Sequence, residues 1–267
     1  MGISPEQLVS RVQVNIPFPF VVEKYLFLFL QRGLNPEIGL DAWSLSHYPP
    51  RCFRRIAWAF QQRGLRLTLH APFQDLAPGA LDDAVLAASR RRLRQAFRWL
   101  AVFRPAAIVC HLGYEARYYR GDLENWLARS TATWKELAGL AAPYGVLVTL
   151  ENVYETEKEL FAEIISRVQA PNLKVCLDVG HLLAFGDGDF DGWLETLWPH
   201  IGHLHLHDNQ GDADDHLALG TGKVPIAHVL SFLADKGLRP LVTLEPHQED
   251  SLTPSLNYLA EIWPWEE

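Results

Sequence analysis

The chain has 267 residues, with 24 Lys and Arg against 32 Asp and Glu, a formal net charge of −8, 48% hydrophobic and 21% charged residues. This composition excludes disorder as the main theme. The acidic excess disfavours a duplex nucleic-acid partner, because such proteins bind through a basic face that neutralises phosphates. The charge is also uneven. Residues 1–133 carry 17 basic and 10 acidic side chains and residues 134–267 carry 7 and 22, so the second half collects carboxylates.

Cys52, Cys110 and Cys176 are an odd number in a long chain, which implies no disulfide framework and a reducing cytoplasm as the simplest home. The N-terminus lacks the basic-then-apolar pattern of a secretory leader. The apolar run Tyr25–Leu30 is too short to span a bilayer, so no membrane partner is expected.

In chain order, β-like runs fall at Val12–Ile16, Glu37–Leu40, Leu65–His70, Ala107–His111, Val146–Glu151, Leu173–Asp178, Ile201–His207 and Leu241–Glu245. Helical stretches fall between them, among them Pro50–Arg63, Leu81–Phe103, Leu123–Tyr144, Glu157–Gln169 and Ile226–Lys236, with a helical tail near Pro254–Ile262. Gly64, Gly145 and Gly237 each stand just before a strand, where helices end. Eight strand–helix units over this length predict an α/β fold, a single (β/α)8 TIM barrel spanning residues 1–267. An open doubly wound sheet is the alternative, lowered by the lack of a Gly-rich fingerprint after the first strand.

The informative feature is what ends each strand. His70, His111, Glu151, Asp178, His205 and Glu245 stand at the carboxyl ends of six successive strands, the ends that surround the mouth of a barrel. One such residue is ordinarily a turn former. Six together are all metal-ligand types, and their carboxylates would repel each other unless cations or protons compensated them. Imidazole and carboxylate together suit Zn, Mn, Fe or Co. His181 follows Asp178 by three residues, and Asp214-Asp-His216 follows the seventh strand, ahead of Leu219-Gly-Thr-Gly222. His203, His205 and His207 share one strand face; crowding allows one of them as a ligand, with the others supporting it or lining the barrel.

His70-Ala-Pro, His111-Leu-Gly, Leu150-Glu-Asn152, Leu177-Asp-Val-Gly-His181, His205-Leu-His-Asp208, Asp214-Asp-His216 and Leu244-Glu-Pro246 together resemble the xylose-isomerase-like TIM-barrel superfamily, which includes endonuclease IV and sugar-phosphate isomerases and epimerases. The resemblance to endonuclease IV implies up to three divalent ions. His70 and His111 would bind one, with Glu151 bridging to a second completed by Asp178, His205 and Glu245. His181, Asp214 and His216 would hold a third. Simpler isomerases and epimerases of the superfamily use one metal, on the counterparts of Glu151, Asp178, His205 and Glu245.

The leading expectation is metal-dependent hydrolysis of a phosphodiester in a small metabolite, since clustered cations polarise phosphoryl oxygens and generate hydroxide. The loops resemble those of relatives that cleave the nucleotide loop of cobamides. The alternative is a sugar or sugar-phosphate isomerase or epimerase, with Glu151 and Glu245 as the catalytic pair moving a proton between two faces of a hydroxyketone. A non-catalytic metal-binding barrel is the third reading. Arg117 and Arg120, after the fourth strand, are candidate grips for an anion. Lys223, Tyr154 and His247 are further substrate-binding candidates. Phe73–Pro78 is a candidate lid or wall, and Trp43 a candidate at the mouth. Arg90, Arg91, Arg92, Arg94 and Arg98 read as a solvated helix face.

Overall fold

A computed structural model describes residues 2–265. Among them, eight strands run parallel in sequence order and close into a barrel. They are β1 (Gln13–Pro17), β2 (Asn35–Gly39), β3 (Thr68–His70), β4 (Ala107–His111), β5 (Leu147–Glu151), β6 (Leu173–Asp178), β7 (Ile201–Leu206) and β8 (Leu241–Leu244). Closure is made by β1 against β8, with Gln13 opposite Thr243 and Val14 opposite Leu244. The expected (β/α)8 barrel is the fold, and the open sheet is excluded.

Alternation along each strand divides the barrel into two environments. Ile38, Leu69, Ile108, Val148, Leu150, Val175, Leu177, Leu204 and Val242 are fully buried in one apolar core with helix residues such as Phe60, Phe161, Trp193 and Leu233. Phe53 shows how tightly this layer packs: it stacks on Phe18 at 4.3 Å and on Trp99 at 4.3 Å, tying three chain segments together. Burying one such ring stabilises the fold by about 1.5–3 kcal/mol. The other face is polar. Thr243 Oγ1 donates to Glu37 Oε2 at 2.9 Å although β8 and β2 are not neighbours, so this contact crosses the barrel interior. Thr68 donates to the same oxygen at 3.0 Å.

Strand register brings the polar ends to one rim. His111 pairs with Glu151, Asp178 with His205, and Gly39 with His70. Gly64, Gly145 and Gly237 take left-handed φ values of 71°, 67° and 72°, the conformation that ends a helix without a Cβ penalty. Two expectations change. The terminal helix spans Glu249–Ile262 with Pro254 inside it; the sequence pattern began at Pro254 because proline removes a helical donor. The arginine cluster is not simply solvated. Arg90 donates to Thr133 and to the Arg129 carbonyl, Arg92 to the Ala42 carbonyl and Ser46, and Arg94 pairs with Glu136, so three of the five guanidinium groups join adjacent elements. Among the described residues, no helix is long and apolar enough to cross a membrane.

Candidate metal centre

All nine strand-end and loop candidates converge at the carboxyl-terminal rim. Glu151 is at the middle of them. Its Oε2 lies 2.9 Å from His70 Nε2 and 3.4 Å from His111 Nε2, and its Oε1 lies 3.4 Å from His181 Nδ1 and 3.5 Å from His205 Nδ1. His205 Nδ1 also faces Glu245 Oε1 at 3.1 Å and Asp178 Oδ2 at 3.9 Å. Asp214 Oδ2 stands 3.5 Å from His181 Nε2 and 3.2 Å from His216 Nε2.

The donor set fits divalent cations on three grounds. First, His70, His181 and His216 each direct Nδ1 at a backbone carbonyl, of Ala71 (2.9 Å), Asn152 (3.1 Å) and Glu245 (3.0 Å). A carbonyl only accepts, so Nδ1 carries the hydrogen and Nε2 is the atom left for a cation, an arrangement usual for metal-bound imidazole. Second, Asp178 Oδ2, His205 Nδ1 and Asp214 Oδ1 are buried with no hydrogen-bond partner, a costly state unless something else satisfies them. Third, ligand atoms of His70, His111 and Glu151, of Glu151, Asp178 and His205, and of His181, His207, Asp214 and His216 lie within 4.8 Å of one another in each group.

Glu37 is a residue that the sequence reading passed over. It is fully buried in the middle of β2, with Oε1 3.0 Å from His205 Nε2. As a charge partner on that side, Glu37 favours the His205 Nε2 hydrogen inward and leaves Nδ1 toward the rim, although neither ring nitrogen makes a hydrogen bond of good geometry. Burial alone would raise the Glu37 carboxyl, but the His205, His203 and His70 imidazoles outweigh it and hold it at about 2. The signal was present as a lone acid between Pro36 and Ile38 inside a strand. The three alternate histidines of β7 also separate. His203 faces the barrel floor, 2.8 Å from Thr243 Oγ1, and burial pushes it down to about 3. His205 reaches the centre, and His207 lies beside Asp178 and Asp214.

The imidazoles couple the centre to pH. Burial would lower His70 and His181, but Glu151 for the first, and Asp178, Asp214 and Glu151 for the second, outweigh it and hold both above the ordinary range. His111 goes the other way, burial prevailing. In the metal-free protein His70 and His181 are therefore biased toward their protonated forms, and a cation would compete with those protons. Binding is expected to release protons, and apparent affinity to fall as pH drops from 8 to 6, about tenfold per pH unit for each proton displaced. Calorimetric titration in buffers of different ionisation heat checks this; buffer-independent heats would contradict it.

A cavity of about 430 Å³ opens above the centre, lined by His70, His111, Glu151, His181, Asp214, His216 and Glu245, and walled by Asn15, Asp41, Pro72, Phe73, Gln74, Val153, Tyr154, Phe185 and His247. Phe73 stacks on His111 at 4.2 Å and gives the cavity an apolar wall; of the Phe73–Pro78 segment, only Phe73 and Gln74 line it. His247 stacks on His216 at 3.5 Å. His216 holds a left-handed φ of 47°, a strained backbone that this stack and its Nδ1 hydrogen bond keep in place.

Tyr154 and His247 line the cavity, whereas the three other substrate candidates do not. Arg117 turns back onto Glu115 at 3.0 Å, and Arg120 lies 3.6 Å from Glu157; both are largely exposed. Lys223 donates to the Gln210 carbonyl at 3.0 Å. Trp43 is also outside the lining and stacks on His47 at 4.7 Å.

A family model described as a xylose isomerase-like TIM barrel matches residues 36–262. An uncharacterized protein of Methanocaldococcus jannaschii is 27% identical over 221 residues, which cover 78% of this chain and 75% of that protein. A D-tagatose 3-epimerase-like protein superposes with a TM-score of 0.79 at 23% identity, over 94% of this chain and 96% of that one. A D-psicose 3-epimerase, solved in the presence of D-fructose, gives 0.73 at 18% identity, over 95% and 90%.

Proposed function

Because the chain belongs to the xylose isomerase-like TIM-barrel family, we propose that it is a divalent-metal-dependent isomerase or epimerase of a small, unphosphorylated sugar. The observation that carries this reading is the cavity lining. It offers carboxylates, imidazoles, Asn15 and Gln74, with apolar walls, and contains no Lys or Arg among the described residues. A neutral polyol suits such a lining, since Asn15 and Gln74 offer hydrogen bonds to hydroxyl groups, and apart from the cations themselves no guanidinium or ammonium group among the described residues is present to make a dedicated phosphate subsite. The likeness to sugar 3-epimerases supports the same direction.

Glu151, Asp178, His205 and Glu245 would hold the working cation. When bound, it would polarise a carbonyl and the adjacent hydroxyl and so acidify the C–H bond between them. Glu151 and Glu245 move the proton. One carboxylate takes it from the carbon bearing the hydroxyl, the electron pair spreads into the carbonyl oxygen, and the other carboxylate returns a proton on the opposite face. Phe73, Val153 and Phe185 keep bulk water from the exposed carbon. Asn15, Gln74, Tyr154 and His247, which line the cavity, would orient hydroxyl groups.

Phosphodiester hydrolysis is the second reading. It is supported by the additional imidazoles of His70, His111, His181 and His216, which exceed what one cation needs. Nothing in the lining selects a cobamide nucleotide loop. The protein, loaded separately with Mn²⁺, Co²⁺ or Zn²⁺, should be offered a panel of free ketoses and aldoses, their phosphates, and a chromogenic phosphodiester. Formation of an epimer or isomer of a free sugar, read by NMR, is expected. Diester hydrolysis with no turnover of any sugar would overturn the proposal in favour of the second reading.

A further inference from the structure

Sequence and resemblance give the outer ion three ligands, His181, Asp214 and His216. The structure places a fourth donor against them. His207, immediately after β7, is 1% exposed, and neither ring nitrogen has a hydrogen-bond partner. Its Nε2 lies 3.5 Å from Asp214 Oδ1 and 3.1 Å from Asp178 Oδ1. The ring stacks on His216 at 3.8 Å and meets His181 edge-on at 5.2 Å. Its place is reserved by Gly180: a Cβ there would stand 2.1 Å from His207 Cε1.

We infer that His207 is the fourth ligand of this ion, which closes the site as a structural tetrahedral centre with no position for substrate. Ligand atoms of all four residues lie within 4.8 Å of one another. His181 and His216 stand 3.5 and 3.2 Å from Asp214 Oδ2, close to the edge of about 3.4 Å that a tetrahedron with zinc-type bonds has, and His207 stands 3.5 Å from the other oxygen of the same carboxylate, Oδ1. His181, Asp214 and His216 line the cavity and His207 does not, so it approaches the ion from the side away from the cavity. Four protein ligands mark structural sites, and catalytic sites keep an open position. This ion therefore fastens the loop that carries Asp214 and His216 to the end of β7, and the centre at Glu151, Asp178, His205 and Glu245, whose three carboxylates suit a higher-coordinate ion with positions left for water or substrate, is left for chemistry.

The inference stands apart from the sugar-epimerase reading and needs a readout other than turnover. In a Glu151→Gln/Glu245→Gln background, which weakens the open centre, one equivalent of Co²⁺ should give the intense visible bands of four-coordinate cobalt. Adding His207→Gln should reduce them to the weak bands of a higher-coordinate ion. Affinity should fall by more than about a hundredfold, beyond the loss that a residue merely supporting a ligand brings. Unchanged bands and affinity would overturn the inference. If the His207 variant fails to fold, X-ray absorption of the zinc-loaded background protein decides: three imidazoles and one carboxylate support the closed site, and two imidazoles with water overturn it. A closed ion in a protein that turns over no sugar would refute the epimerase reading alone. Sugar turnover with a three-ligand ion would refute this inference alone.

Discussion

Glu245→Gln is expected to lower kcat by on the order of 10³-fold with the protein still folded and metal-bound, within the range for loss of a positioned general acid or base. Glutamine keeps the shape and an oxygen ligand but cannot accept the proton. Glu245 touches His205 Nδ1 alone among the central imidazoles, apart from a 3.9 Å approach to His216, so its neutralisation disturbs few neighbours. Glu151→Gln is expected to cost at least as much in kcat and to weaken metal retention as well, because His70, His111, His181 and His205 all face this one carboxylate. Steady-state kinetics with elemental analysis of each variant separates the two effects. A two-carboxylate mechanism adds a sharper expectation. Each variant should still exchange a substrate proton on the face of its remaining carboxylate while forming almost no epimer. Wild-type rates in either metal-loaded variant would remove that residue from the chemistry.

Asp208→Ala is expected to destabilise the protein by about 3 kcal/mol, since the buried amides of Asn209 and Val224 lose their acceptor at about 1–3 kcal/mol each and the part-buried amides of Gly220 and Gly222 lose less. Asp208 Oδ1 accepts from the Asn209 and Val224 amides at 2.9 and 3.0 Å, and Oδ2 accepts from Gly220 and Gly222 at 2.9 and 2.8 Å. The loop from 209 to 224, which carries Asp214 and His216, is thereby folded around one buried carboxylate. Gly222 is needed for that approach, because a Cβ would stand 2.2 Å from Asp208 Oδ1. Asp208→Asn should recover about half of the loss, since its amide nitrogen cannot accept from the two donors it would face. Thermal denaturation should show Tm lowered by roughly 10 °C for the alanine variant. The alanine variant should also bind one ion fewer. An unchanged Tm would mean that the loop is held by other contacts.

The Gly-Thr-Gly turn and Lys223 show where a sequence reading goes astray. Lys223 reads as a substrate-binding candidate after this turn, but it donates to the Gln210 carbonyl, and the amides of Gly220 and Gly222 are already taken by Asp208. Nothing in the spacing reveals that a carboxylate a dozen residues earlier folds back onto them. Arg117 and Arg120 lie outside the cavity lining for a related reason: the direction of a loop side chain depends on local partners, here Glu115 and Glu157. The convergence of the rim candidates was legible because parallel strands of a closed barrel end at one face, so strand-end His, Asp and Glu are neighbours whatever their separation in sequence. Glu37 escaped because it lies mid-strand. The fates of His203, His205 and His207 could not be read from their spacing. It puts them on one face, but their depth in the barrel depends on strand register, and β7 is irregular against β6 between Val175 and Cys176.

Acidic excess, the first global property of the sequence, is local in effect. Glu37, Glu151, Asp178, Asp214 and Glu245 gather around histidines at the rim and just below it, and a cavity without lysine or arginine opens above them. The proposed chemistry makes the origin of one hydrogen atom decisive. The metal-loaded protein should be incubated in D2O with a free ketose that it turns over, and both recovered substrate and product examined by NMR. The two-carboxylate account predicts deuterium at the carbon whose configuration or oxidation state changes, and none at other carbons. Complete conversion with no solvent deuterium would contradict it.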